Sequence, residues 1–192
     1  MTVYLAPPKG PSEKVAFIEW LNANGLKPEI LDDQPIGGPL ILAGGADIGK
    51  DLNRDTREFR WIQEAITNGY PIIGVCRGMQ ILNHFFGGVV ENIAEELVEA
   101  HAAAEFSDNA DHSGRPSQHH IITDQDGNTI SVNSRHHQYC AKVADNFTVT
   151  HIGGAIPEAF SDESKKIWAV QWHPERGESE NNTYPLDKLF AK

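Results

Sequence analysis

Residues 71 to 80 constrain the fold of this chain more than any other stretch. Pro71-Ile72-Ile73-Gly74-Val75 is an almost unbroken apolar run, the pattern of a short strand covered on both faces. Met79, Ile81, Leu82, Phe85 and Phe86 follow at helical spacing and stop at Gly87-Gly88. Between strand and helix stands Gly74-Val75-Cys76-Arg77-Gly78, a G-x-C-x-G turn. The two glycines let the chain turn sharply and hold Cys76 in a strained backbone conformation, as G-x-S-x-G does for a serine. The thiol then stands at a helix N-terminus, where free amides and the helix dipole favour thiolate. The Arg77 N–H faces the oxyanion that forms when such a thiolate attacks a carbonyl. A free cysteine is more often a small buried apolar residue, so the weight of the reading rests on the turn and on partners elsewhere.

The rest of the chain supplies alternating elements. Val3 to Ala6 reads as a strand, followed by a helix from Ser12, its expected N-cap, through Val15, Ile18 and Leu21 to Asn24-Gly25. Lys27 to Leu31 and Pro39 to Ala43 read as strands, the second running into Gly44-Gly45. Arg54 to Asn68 is helical in pattern, with Phe59, Ile62 and Ile66 on one face and Gly69 after its end. Residues 95 to 118 are polar and rich in His, Ala and Asp, and read as a surface excursion. Strands are then expected at His120 to Thr123, Thr129 to Val132, Thr148 to Ile152 and Trp168 to Gln171, with turns at Asp126-Gly127 and Gly153-Gly154. Alternation of this kind predicts one α/β domain over residues 1–192, with a mostly parallel central sheet between two helical layers.

Composition narrows the function. A net charge of -11 repels phosphate backbones, which excludes nucleic acid as a general partner. No apolar run reaches the roughly 20 residues of a membrane helix, and the N-terminus lacks the pattern of a secretory signal. Two cysteines, Cys76 and Cys140, do not make a disulfide framework and suit the cytoplasm.

A cysteine hydrolase needs a base, and the base needs a carboxylate to orient it. Val170-Gln171-Trp172-His173-Pro174-Glu175 supplies both at the end of an expected strand. Alone, it also reads as a surface turn with a solvated glutamate; coupled to the Cys76 turn, it reads as the rest of a triad.

Together, GVCRGMQ and VQWHPE resemble the class I glutamine amidotransferase superfamily, which has a flavodoxin-like, three-layer fold. More narrowly, the chain resembles the γ-glutamyl hydrolase branch, the peptidase C26 group with its γ-glutamyl-γ-aminobutyrate hydrolases. Gly44-Gly45-Ala46-Asp47-Ile48, Arg54-Asp55, Val132-Asn133-Ser134-Arg135-His136-His137-Gln138 and Glu158-Ala159 are similar to that branch's other motifs, in order. The resemblance implies a Cys76–His173–Glu175 triad, with Gly45 and Arg77 donating backbone N–H groups to the oxyanion. It also implies that Gln80 holds the glutamyl group and that Ser134, Arg135 and His136 line the pocket. Gly49 to Asn53 departs from the branch, which puts a proline- and tyrosine-containing stretch there.

No cofactor and no metal are expected, because adjacent histidines such as His119-His120 and His136-His137 point to opposite faces of a strand. His136 and His137 read instead as pocket wall, one inward and one packed, and Cys140, Trp61, Trp168 and Trp172 as packing. The implied substrate is a small γ-glutamyl compound or glutamine itself. Three functions follow: an autonomous γ-glutamyl amide hydrolase, a glutaminase subunit feeding ammonia to a separate synthase, and a binding protein that has kept the fold.

Overall fold

Alternate residues of the central strands enter two different cores, and this organises the molecule. The computed structural model describes residues 1–94 and 118–190; the excursion expected at 95 to 118 lies outside them except for Gln118. Leu40, Leu42, Ile72, Ile167 and Ala169 join one buried cluster, which holds Trp61, Ile62, Met79 and Leu82. Ile41, Ala43, Ile73, Val75 and Val170 join the other, with Phe17, Trp20 and Leu21. With side chains pointing alternately up and down, a strand that is buried throughout must have a layer on each side.

Among the described residues the strands are β1 (Thr2–Leu5), β2 (Lys27–Ile30), β3 (Leu40–Leu42), β4 (Ile72–Val75), β5 (Val89–Asn92), β6 (Gln118–Asp124), β7 (Thr129–Ser134), β8 (Gln138–Lys142), β9 (Thr148–Gly153), β10 (Ile156–Asp162) and β11 (Ile167–Val170). Nine of them form one sheet in the order β2-β1-β3-β4-β11-β10-β9-β6-β7. From β2 to β11 every pairing is parallel, and from β11 to β7 every pairing is antiparallel. Helix α1 (Pro11–Ala23) covers one face, and α2 (Leu52–Asn68) and α3 (Arg77–Phe85) the other. This is the three-layer α/β architecture expected from the alternating elements.

Several local readings need correction. Gly10, not Ser12, is the N-cap of α1, because Pro11 occupies the first helical position, where its fixed φ and missing N–H cost nothing. Val15 is 51% exposed, and α1 is buried through Phe17, Trp20 and Leu21 instead. Helix α2 begins two residues early, because the Asp51 side chain accepts from the Arg54 N–H. The unusual Gly49 to Asn53 stretch therefore serves as the start of this helix. It ends on Gly69 in the left-handed conformation.

Three strands lay hidden in the sequence. β5 and β8 pair as a small second sheet beside α3. Asn83 of α3 ties them together, donating to the Val89 and Lys142 carbonyls and accepting from the Ala144 N–H. β10 is buried along most of its length but carries Pro157 and Glu158, which break its apolar pattern. Among the described residues, no helix is long and apolar enough to cross a membrane.

Candidate active site

Three neighbouring parallel strands, β3, β4 and β11, end on the same edge of the sheet. The loops that leave them lie side by side and carry Gly44-Gly45, Cys76 and His173. That edge is the usual place for a site in an open α/β sheet.

Cys76 is the N-cap of α3, at φ 52° and ψ -108°. Besides Lys166, no other non-glycine residue among the described residues has positive φ. The conformation is held by contact on both sides. A Cβ on Gly74 would stand 2.6 Å from the Gly78 carbonyl oxygen, and one on Gly78 would stand 2.1 Å from that of Leu42. Only glycine at both places lets α3 settle backbone-to-backbone on β3 and β4. Cys76 makes no capping hydrogen bond with its side chain, so the sulfur is left to the site.

His173 follows β11 and is almost wholly buried. Its Nδ1 lies 2.7 Å from Glu175 Oε1, and Glu175 sits in a short 3-10 turn, Pro174–Arg176. Burial alone would push the imidazole pKa down. The Glu175 carboxylate and the Cys76 sulfur, which also hydrogen-bonds the ring, more than reverse this and carry His173 up to about 10. The three residues expected to act together are therefore in contact, with the ring between a sulfur and a carboxylate.

The remaining residues named from the sequence divide. The Arg77 side chain does not reach the site: it is 2% exposed and paired with Asp55 and Glu58 of α2, so only its backbone N–H is available there. Gly45 has φ 155°, and its Cβ position is filled by the Arg54 guanidinium. Gln80 is buried and uses its Nε2 within the protein, on the Gln138 carbonyl and Gln171 Oε1, which leaves its oxygen for other partners. Ser134 ends β7 and is buried, while Arg135 is half-buried. Burial and the neighbouring Arg176 hold the Arg135 pKa below the usual guanidinium range, against the pull of Glu178 and Glu175. His136 is buried, with Nε2 3.6 Å from Glu158 Oε1, whereas half-exposed His137 pairs with Asp47 at 3.0 Å. Cys140 is fully buried, and burial pushes its thiol up, away from reactivity.

Two residues near His173 escaped sequence reasoning. Asn133 of β7 donates from Nδ2 to the His173 carbonyl and accepts at Oδ1 from the His173 N–H, both at 2.8 Å. It lies inside the V-N-S motif, which was the available signal. Glu13, in the first turn of α1, brings a carboxylate oxygen within 4.8 Å of ligand atoms of His173 and Glu175. Such a trio can hold a metal ion, but Nδ1 of His173 is already engaged by Glu175. The paired histidines are occupied separately: His119 with the Glu178 carbonyl and His120 with Glu158.

Comparison with known proteins gives the family of the chain. Residues 41–175 match the Peptidase C26 family. The chain is 30% identical over 174 residues to the glutamine amidotransferase-like protein YvdE of Lactococcus lactis, covering 79% of this chain and 72% of that one. It is 30% identical over 166 residues to the GMP synthase of Streptomyces coelicolor, covering 85% of this chain but only 28% of the synthase. The crystal structure of a GMP synthase subunit from Thermoplasma acidophilum superposes with a TM-score of 0.75 at 18% identity, covering 98% of this chain and 92% of that one. The chain belongs to the Peptidase C26 family, within the class I glutamine amidotransferase superfamily.

Proposed function

We propose that this protein hydrolyses the γ-amide bond of a γ-glutamyl compound through a glutamyl thioester on Cys76. The observation that carries the reading is Cys76, held at positive φ on the elbow, against a His173 ring backed by Glu175. The Cys76 thiolate attacks the γ-carbonyl carbon, and the backbone N–H groups of Gly45 and Arg77 stabilise the oxyanion. His173, as imidazolium, gives its proton to the departing amine as the C–N bond breaks. The ring then takes a proton from water, whose oxygen attacks the thioester. Glutamate leaves and the thiolate is restored. Glu175 keeps the ring in place, and Gln80, Ser134, Arg135 and His136 line the glutamyl pocket. Two buried free thiols suit a reducing, cytoplasmic setting.

The test is to purify the protein alone and follow glutamate release from a panel of γ-glutamyl amides and from glutamine. The expected outcome is higher kcat/KM for at least one γ-glutamyl amide than for glutamine, because a larger leaving group adds binding energy. 6-Diazo-5-oxonorleucine is expected to label Cys76; labelling of Cys140 instead would overturn the assignment.

A second reading has its own support. Similarity to GMP synthases over most of this chain fits a glutaminase subunit that hands ammonia to a synthase. Hydrolysis of glutamine alone, raised many-fold by a co-purifying synthase, would establish that reading in place of the first.

A further inference from the structure

The two proposed oxyanion donors stand on separate elements: Gly45 in the loop after β3, and Arg77 at the start of α3. Their N–H groups work only if both are held to within about 0.5 Å. Four charged side chains join the two. Arg54 and Glu58 are one turn apart on α2, with Asp55 beside them, and all three are buried. Arg54 Nε donates to Glu58 Oε1 at 2.7 Å, and Glu58 Oε2 accepts from Arg77. Arg77 also pairs with Asp55, whose other oxygen accepts from the Gly49 N–H at 2.7 Å.

At the far end, Arg54 Nη2 donates to the Gly44 carbonyl at 2.8 Å and to the Ala43 carbonyl at 3.3 Å. The Gly44 carbonyl and the Gly45 N–H belong to one peptide unit. Because a trans peptide is planar, its carbonyl and N–H point in opposite directions. A guanidinium that grips the Gly44 oxygen from the α2 side therefore turns the Gly45 N–H away from α2. Arg54 Nη1 also fills the space beside Gly45, where any Cβ would lie 2.0 Å from it.

We propose that Arg54 is the positioning residue of the oxyanion hole: it orients the Gly44–Gly45 peptide and, through Glu58, couples it to the elbow residue Arg77. The proposal rests on the thioester reading of Cys76. Burying four charges so completely rarely adds net stability over an apolar core, whereas a two-armed guanidinium sets direction as a lysine cannot.

Two reactions of Cys76 separate this role from a structural one. Acylation by p-nitrophenyl acetate forms a tetrahedral oxyanion: the thiolate adds to the acetyl carbon, and p-nitrophenolate leaves. Alkylation by iodoacetamide displaces iodide at a saturated carbon and forms no oxyanion. Neither reagent needs a glutamyl pocket, so the test does not depend on which amide is the natural substrate. Mass spectrometry is to locate both modifications, which are expected at Cys76. In Arg54→Lys, acylation is expected to slow about tenfold or more, with alkylation within about twofold of wild type. Glu58→Gln, which keeps the shape and removes the bridging charge, is expected to lower the same ratio. On γ-glutamyl substrate, Arg54→Lys is expected to lower kcat with little change in KM. An unchanged ratio of acylation to alkylation in either variant, or an equal fall in both rates, would overturn the role of Arg54. If wild type is acylated by the ester but hydrolyses no γ-glutamyl amide, the substrate reading fails while the ratio still decides the role of Arg54.

Discussion

Asn133 and His173 hold each other through a reciprocal pair of hydrogen bonds, side-chain amide to backbone, across the ends of β7 and β11. Both residues are buried. The antiparallel half of the sheet thus sets the height of the histidine that faces Cys76.

Asn133→Ala removes both bonds, leaving the buried His173 N–H without a partner and its carbonyl with only the Arg176 N–H. A loss of about 1–3 kcal/mol in unfolding free energy is expected, from the one buried donor left unsatisfied, read by urea titration. Turnover is expected to fall about tenfold or more as His173 loses its place.

Cys76 holds its position at a cost in backbone strain of about 1–3 kcal/mol. Cys76→Gly is therefore expected to be more stable than Cys76→Ala by about 1 kcal/mol, although both lack the sulfur. Thermal or urea unfolding of the two variants checks this. Equal stability would mean that the strain is no larger than the roughly 0.5–1 kcal/mol of backbone entropy that glycine forfeits.

The His173 shift has a defined sign. Its folded pKa, about 10, lies above the ordinary imidazole value of 6.5 that describes the unfolded chain. The group therefore stabilises the fold fully below about pH 6.5 and loses that contribution as pH rises through about 10. The stability difference between wild type and His173→Gln is expected to shrink across that window. Turnover is expected to decline at its upper end, where the leaving amine loses its proton donor.

Much of this is legible in the chain, and the reasons are physical. The elbow can be read because Gly74, Cys76 and Gly78 form a local pattern whose cause, close backbone contact, lies within a few residues. His173 and Glu175 are readable for the same reason. β10 is not, because Glu158 lies in its middle, and its burial depends on His120 and His136, which are distant in sequence. Arg54 and Glu58 show helical spacing, but nothing local says that the pair is buried against Arg77. Glu13 and Asn133 acquire their places only when α1 and β7 are brought to the end of β11.

Gly44 tests how tightly the site is packed. A Cβ there would stand 2.8 Å from Glu13 Oε1 and 3.1 Å from His173 Cε1. Gly44→Ala is expected to lower kcat about tenfold or more by displacing the ring. Glu13→Ala is expected to restore part of that loss, because it frees the nearer of the two obstacles. A double-mutant cycle on kcat measures the coupling, and strict additivity would show that Glu13 does not crowd the position.

β11 is the last strand of the described chain and sits in the interior of the sheet, between β4 and β10. The Cys76 sulfur and the His173 ring thus meet only after a late segment has inserted beside an early one. Such non-local pairing is slow to form. During synthesis, Cys76 emerges long before His173 does. Any chemistry that needs both residues is therefore expected only once β11 has taken its place between β4 and β10.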